Sequence, residues 1–482
     1  MSHTDPIRIA IIGAGLGGLA LANALGRRPK DAAKGHPGFE VHVYEAKSVF
    51  SDRRGHVALF PDARKALEYC VPDEGALMER AGGFSGAGVP ILAIGSGKHA
   101  GTSVSVFRRR SEPPRLLDGE QAKAEEKKPM VQQVGPLGAN VTRTFLLKEL
   151  YSALQQCETV IMHLGVKLVS ISTSPETILT FDDGKLEKFD AVIGADGYRS
   201  IVRPYVLGDK AAEEVATRAG FWDCRNQVPR EIAERILFKP LQELLYAKHG
   251  EDLDPATPDL VERGFWIGDS HAFLYGGSDG GRTIFFILAG AKEWSGEKHK
   301  QTYTRDEVEQ NMQAWMKEPY LKPLLDTLFY EQKEVWIYRQ YHSKKTSTYN
   351  NDRICIMGDA AHSSVPFGVA GAWMAFEDAM ILSHLLWNST VSQISAAFAT
   401  FTEVRKDRCQ HVIEASEGRG RLNTGQSLDA GEVNPDTGYY DFDPVKLPAA
   451  YGNKDLVISG IDQQDYRQDA KMRFEKKISK AQ

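Results

Sequence analysis

Residues 353–386 read RICIMGDAAHSSVPFGVAGAWMAFEDAMILSHLL. Ile354, Cys355, Ile356 and Met357 form an apolar run too short for an independent helix and suited to a buried strand. The run stops at Gly358-Asp359, which turns the chain and leaves a carboxylate at the strand's carboxyl end. A loop with Pro366, Gly368 and Gly371 follows, then a helical pattern with Met374, Phe376, Met380, Ile381 and Leu385 apolar. Strand, loop and helix start together bring backbone N–H groups and the positive end of a helix dipole to one point. An anion or an electron-rich ring suits that point, although any α/β crossover has the same outline.

Two further stretches repeat the theme. The β-rich run 7–12 feeds Gly13-Ala14-Gly15-Leu16-Gly17-Gly18 and then a helical stretch, 19–25. Gly13 suits the tight turn, Gly15 close approach of a pyrophosphate, and Gly18 close packing of helix on strand. A second strand, 39–44, ends at Glu45, whose carboxylate can accept from ribose hydroxyls. The separation of Gly18 and Glu45, 27 residues, exceeds the usual spacing and is explained by the polar insert 27–38. An AMP-bearing dinucleotide is expected here. Residues 189–203, FDAVIGADGYRSIVR, again run a buried strand into a turn with one acid, Asp196, and basic residues beyond. A plain Asp-Gly turn is the simpler reading of that stretch.

Other segments are less specific. Arg53-Arg54-Gly55 could meet phosphate or form a solvated turn. Residues 84–110 resemble strands of a second sheet, and 112–128 an exposed charged loop. Arg143 opens a helical pattern with Phe145, Leu146, Leu150 and Leu154; a cation there opposes the helix dipole unless it faces an anionic ligand, and a surface arginine is the other reading. Strands are expected at 167–172 and 178–181, with Asp182-Asp183-Gly184 as the hairpin turn. From 204 to 341 the alternating runs 272–275 and 283–288 suggest antiparallel strands, with helices at 230–249 and 306–330. This region has no phosphate motif and is assigned to substrate binding. Helix continues to about 417, a Gly, Asp and Pro-rich loop spans 418–452, and a charged helix, 462–478, closes the chain for packing or self-association.

Bulk properties agree with an ordinary globular protein. The 482 residues suggest about three domains, or two interleaved ones. Hydrophobic residues are 42% and charged ones 26%, and a net charge of −5 gives no nucleic-acid footprint. Five scattered cysteines without a CxxC pair suggest neither a disulfide framework nor a zinc site, and no metal is expected. The motif-bearing start leaves no room for a signal peptide, and no run of about 18 apolar residues spans a membrane. A cytoplasmic protein, monomer or homodimer, is expected.

The three motifs in this order resemble the class A, single-component FAD-dependent monooxygenases of the p-hydroxybenzoate hydroxylase fold, over about residues 7–415. Within that family the chain looks most like the salicylate-hydroxylase-like branch, which includes fungal enzymes of secondary metabolism. The resemblance implies an α/β fold: a Rossmann-like FAD-binding domain, a parallel sheet with helices, interleaved with a smaller mixed or antiparallel-sheet substrate domain, plus C-terminal helices. The FAD-binding domain would take 1–83, 111–203 and 342–417, the substrate domain 84–110 and 204–341, and an extension 418–482. It further implies that Glu45 binds the adenosine ribose and Gly13, Gly15 and Gly18 the pyrophosphate. Ala58 would approach the flavin, Arg143 would touch FAD, and Asp196 would serve both FAD and NADPH. Asp359, following Gly358, would hold the ribityl hydroxyls, with Gly371 and Ala372 at the pyrimidine edge. The family often writes this loop P-H-Q-G-A-G-A-G. Here Val369 and Trp373 replace two glycines, so a remodelled, more apolar pocket and a larger hydrophobic substrate are expected.

The implied reaction uses NADH or NADPH, FAD and O2, through a flavin C4a-hydroperoxide, to hydroxylate a phenol-like or other electron-rich small molecule. Arg225 matches an arginine that orients the phenolate in some fungal hydroxylases, and His271 with Tyr275 resembles the His and Tyr of certain hydroxybenzoate hydroxylases. Positions i and i+4 of a strand share a face, so both could enter one pocket; a structural His, a core Tyr and a surface Arg are the alternative readings. His362 is expected to order its turn rather than to catalyse. Rival activities are epoxidation of an indole or alkene, flavin dehydrogenation without oxygen insertion, and flavin-dependent regulation without turnover.

Overall fold

The computed structural model describes residues 5–50, 55–84, 91–104, 108–109, 133–134, 138–174, 176–250, 262–292, 294–456, 458 and 463–480. Arg53, Arg54 and the polar run 112–128 lie outside them.

A six-stranded sheet runs in the order Asn350–Asn351, Ile354–Ile356, Ala191–Gly194, Ile7–Ile12, Phe39–Glu45 and Val160–Leu164. All neighbours are parallel except the edge pair Asn350–Asn351 and Ile354–Ile356. Its central strands are short runs of apolar residues because helices cover the sheet and leave few side chains to water. Register decides the site: Ile12 pairs with Gly194, and Gly194 with Ile356. The Gly13 turn, the Ala195-Asp196 turn and Gly358-Asp359 therefore emerge side by side at the carboxyl edge, where open α/β sheets bind ligands.

An eight-stranded sheet stands beside it, in the order Lys300–Thr304, Glu334–His342, Thr217–Pro229, Thr283–Gly290, His271–Ser278, Gly264–Gly268, Ile91–Ile94 and Ser103–Val104. Only the pair Gly264–Gly268 and Ile91–Ile94 is parallel. The pleat divides its residues. Trp222, Cys224, Phe273, Tyr275, Phe286 and Leu288 enter a core with Leu241, Leu324 and Leu328 of neighbouring helices. The other face meets the first sheet's loops: His56 stacks on Phe285 at 4.7 Å, and Phe221 meets Phe367 at 4.9 Å.

Several expectations change in detail. The hairpin turn at Asp182-Asp183-Gly184 leads from Ile178–Phe181 into a further short strand, Leu186–Lys188. The long helix Ile394–Asn423 continues past 417. The region expected to be loop, 418–452, adds a two-stranded ribbon, Gly431–Val433 with Tyr440–Phe442, and the helical turn Leu447–Tyr451. Phe442, Leu447 and Tyr451 from this segment cover Ile94, Ile267 and Ala272 of the large sheet. The closing helix Gln463–Ser479 packs on Pro61–Cys70, Gly371–Leu386 and Ile394–Asn423. Among the described residues no helix is long and apolar enough to cross a membrane.

Candidate active site

The glycine turn has no spare space where packing demands none and open space where a ligand would lie. Gly13 sits at φ 109°, and a Cβ there would fall 2.4 Å from the Ala195 carbonyl oxygen. A Cβ on Gly18 would lie 2.1 Å from the Gly13 oxygen, whereas one on Gly15 would meet nothing closer than 4.0 Å. Gly15 begins the helix Leu16–Leu25 without a side-chain cap, leaving its first N–H groups for an anion. Glu45 braces the same turn: its carboxylate oxygens accept from the N–H groups of Ala14 and Lys47, each at 3.1 Å. Asp196 accepts from the N–H of Ile201 at 2.7 Å and of Val202 at 3.3 Å; burial raises its pKa against those bonds.

The opening stretch faces the same edge. Asp359 has an accessible carboxylate, yet it is set deeply enough that burial raises its pKa, while the His362 and Arg143 charges pull it down. A group both deep and reachable lines a crevice. Arg143 begins the helix Arg143–Leu154, and its N–H donates to Gly55 O at 2.8 Å. Ala58 lies alongside, paired with Asn140 in the ribbon that leads into that helix. Gly371 begins the helix Gly371–Leu386 with no side-chain cap, and a Cβ on it would meet nothing within 4 Å. Ala372 follows in the same first turn. Open helix ends, a glycine cradle and a reachable carboxylate fit a flavin dinucleotide.

Of the two departures in the loop, Val369 takes a left-handed conformation, φ 54° and ψ 25°, which a β-branched residue rarely adopts. Trp373 turns into the helix interface, 6% exposed, with the Arg408 guanidinium 5.2 Å above its ring. The indole therefore packs behind the loop, not as an added wall of the crevice.

Behind the loop lies a buried ionic network that the sequence reading missed. Asp378 accepts from Gly358 N at 2.8 Å, from His362 Nε2 at 2.6 Å and from Arg405 Nε at 2.7 Å. Glu377 receives Arg405 at 2.5 Å and Arg408 at 2.9 Å through two nitrogens. Burial would raise the Asp378 pKa, but His362 and Arg405 outweigh it and hold it at about 2. For His362 burial acts downward, yet Asp378 carries its pKa well above the ordinary value. His362 thus orders the turn through Asp378, whose carboxylate also holds the Gly358 N–H. The available signal was a Glu-Asp pair inside an otherwise apolar helix.

The structure separates the three catalytic candidates. His271 and Tyr275 share a face, as their spacing requires, but that face is the second core. His271 is 1% exposed, its Nδ1 2.8 Å from Ser270 Oγ, and burial lowers its pKa to about 4. Tyr275 accepts from Trp266 Nε1 at 3.2 Å and stacks on Phe286, and burial pushes its phenol pKa up. Arg225 stands on the opposite face, the one that meets His56 and Phe367. Its Nη2 donates to the buried Asp223 carboxylate at 2.7 Å, which is the main reason its pKa is raised. Its Nε is buried with no hydrogen-bond partner among the described residues, while a third of the side chain remains accessible.

A parallel sheet with a glycine-rich carboxyl edge, set against a second, largely antiparallel sheet, is the arrangement expected of a flavoprotein. Residues 173–416, half of the chain, match the FAD binding domain family, and the chain belongs to that family as a class A flavin monooxygenase. It is similar to 6-methylsalicylate 1-monooxygenase of Aspergillus terreus, 27% identical over 88% of this chain and 84% of that one. Hispidin-3-hydroxylase of Neonothopanus nambi is 23% identical over 86% of this chain and 89% of its own. A salicylate hydroxylase substrate complex shares the fold with a TM-score of 0.69 at 19% identity, covering 96% of this chain and 98% of the other.

Proposed function

We propose that the protein hydroxylates an aromatic ring bearing a phenol- or enol-type oxygen, with NAD(P)H as reductant and O2 as oxidant. Arg225 carries the reading, because a third of its side chain stays accessible on the sheet face that meets the loop around Phe367, with Asp223 holding its Nη2. A guanidinium there binds the substrate oxyanion and favours the phenolate, which makes the ring carbon a better nucleophile. Bound FAD supplies the redox and oxygen-activating chemistry. Gly13, Gly15, Gly18 and Glu45 hold its dinucleotide part, and Ala58, Arg143, Asp196, Gly358 and Asp359 hold the flavin half. The N–H groups opening the helix at Gly371 and Ala372 stabilise negative charge on the ring's pyrimidine edge. Residues 1–83, 111–203 and 342–417 form the flavin-holding part, 84–110 and 204–341 the substrate part, and 418–482 an extension. Relatives named for 6-methylsalicylate and hispidin support a phenolic substrate.

Epoxidation of an indole or alkene is the second reading. The core placement of His271 and Tyr275 favours it, since neither reaches the crevice to remove a phenol proton.

The deciding experiment screens phenols, indoles and alkenes for stimulated NAD(P)H oxidation and follows 18O from O2 into product. Arg225→Gln should lower kcat/KM for a phenol about 10- to 100-fold, the loss of one charged hydrogen bond. Normal turnover of phenols by that variant, with the flavin retained, would remove Arg225 from the reaction.

A further inference from the structure

Four residues in direct register cross the large sheet on its crevice face. Arg225 pairs with Ile287, Ile287 with Leu274, and Leu274 with Phe265. All four keep part of their side chains accessible. The next row on the same face, Asp223, Ala289, Ala272 and Ile267, is buried. On the other flank Phe285 and Gly276 are buried as well and Gln227 stays partly accessible, so the strip is one residue wide except beside Arg225. With neighbouring strands roughly 4.8 Å apart, three steps make it about 14 Å long.

The strip has two different ends. At one stands the Arg225 guanidinium, and on the same strand Phe221 meets Phe367 of the flavin loop. The other is Phe265, which packs against the cluster where Tyr440 and Leu456 join the sheet. That covering segment is tied down: Arg419 Nε donates to Leu456 O at 2.7 Å, and the Tyr451 hydroxyl bonds Asn423 Oδ1. Between the ends, among the described residues of these strands, the aliphatic side chains of Ile287 and Leu274 form the surface.

We infer that the substrate is an amphiphile, an oxyanion-bearing ring seated at Arg225 with an apolar substituent laid across Ile287 and Leu274 toward Phe265. This rests on the hydroxylase reading above and adds the substituent to it. A ring alone would leave the far half of the strip wet, whereas an alkyl or aryl substituent buries it. Each methylene placed there tightens binding about fourfold, until the substituent reaches the end of the strip.

The test is calorimetric titration of the FAD-loaded enzyme, without NAD(P)H, with para-alkylphenols from methyl to octyl. The expected Kd falls about fourfold per methylene through the early members and then levels off. Arg225→Gln should raise Kd for every member by one common factor, displacing the series in parallel. Leu274→Asn should flatten the dependence on chain length. A wild-type series that is flat from methyl to octyl overturns the inference, as does an unchanged slope in Leu274→Asn. Should that variant fail to fold, the wild-type series decides alone. Turnover of the same compounds separates the two readings. Steep binding without ring hydroxylation sinks the hydroxylase reading and leaves the strip, and hydroxylation with a flat series does the reverse.

Discussion

Val369 is the residue at which the loop beside the flavin site departs most from easy backbone geometry. At φ 54° its branched Cβ crowds the following carbonyl, a cost of about 1–2 kcal/mol for a residue other than glycine. The conformation persists because the loop is pinned around it. Val369 N donates to Pro366 O at 2.9 Å, and a Cβ on Gly368 would lie 2.1 Å from Ser416 Oγ of the long helix. Val369→Gly should relieve the strain and return part of the gain through a freer unfolded chain. The net expectation is a stability increase of about 0.5–1 kcal/mol, read as a higher urea midpoint at constant slope. A lower midpoint would refute the strain argument. The sequence revealed that Val369 and Trp373 stand where glycines are common, but not where the indole goes. Its direction depends on Arg408, 35 positions further on, which no local pattern links to it.

Among the elements, the helix Gly371–Leu386 has a task that its sequence half concealed. Its apolar run and its place after a strand-end acid were legible, because both follow from short-range periodicity. The Glu377-Asp378 pair would look like a solvated helix face until Arg405 and Arg408 arrive from Ile394–Asn423. Arg405→Met leaves two buried carboxylates short of a cation and should cost about 3–5 kcal/mol, measured by urea unfolding. The His362–Asp378 pair gives a signed pH dependence. His362 has a raised folded pKa, so its contribution is complete below its unfolded value of about 6.5 and fades as pH rises through the folded one. Asp378, depressed to about 2, contributes fully above its unfolded value of about 3.9 and is lost as pH falls toward 2. The stability gap between wild type and His362→Gln should therefore be larger at pH 6 than at pH 10. A gap that grows with pH would show that the histidine is neutral in the fold.

At the scale of the whole molecule, the three strand-end motifs were readable because each is local and the parallel register then brings them to one edge. The C-terminal layer was not readable. Its Gly, Asp and Pro-rich composition resembles loop, and only the sheet it covers gives Phe442, Leu447 and Tyr451 somewhere to bury. The closing helix Gln463–Ser479 extends this dependence to the flavin side. Ala470 and Phe474 are buried in the main core, and the Tyr466 hydroxyl, which donates to Val404 O at 2.9 Å, accepts from Arg405 Nη1 at 3.1 Å. Arg405 in turn holds Asp378, and Asp378 holds the Gly358 N–H at the strand end. A continuous path of hydrogen bonds thus runs from the last helix to the strand edge proposed to hold FAD. Phe474→Ala opens a cavity under that helix and should cost about 3–5 kcal/mol. Because the path is shared, flavin release and loss of the closing helix should occur together. Urea titrations of Phe474→Ala followed by flavin fluorescence and by far-ultraviolet ellipticity should give one midpoint, lower than wild type in both signals. A variant whose ellipticity midpoint falls while its flavin midpoint stays at the wild-type value would show that the closing helix is only a cover, with no hold on the cofactor edge.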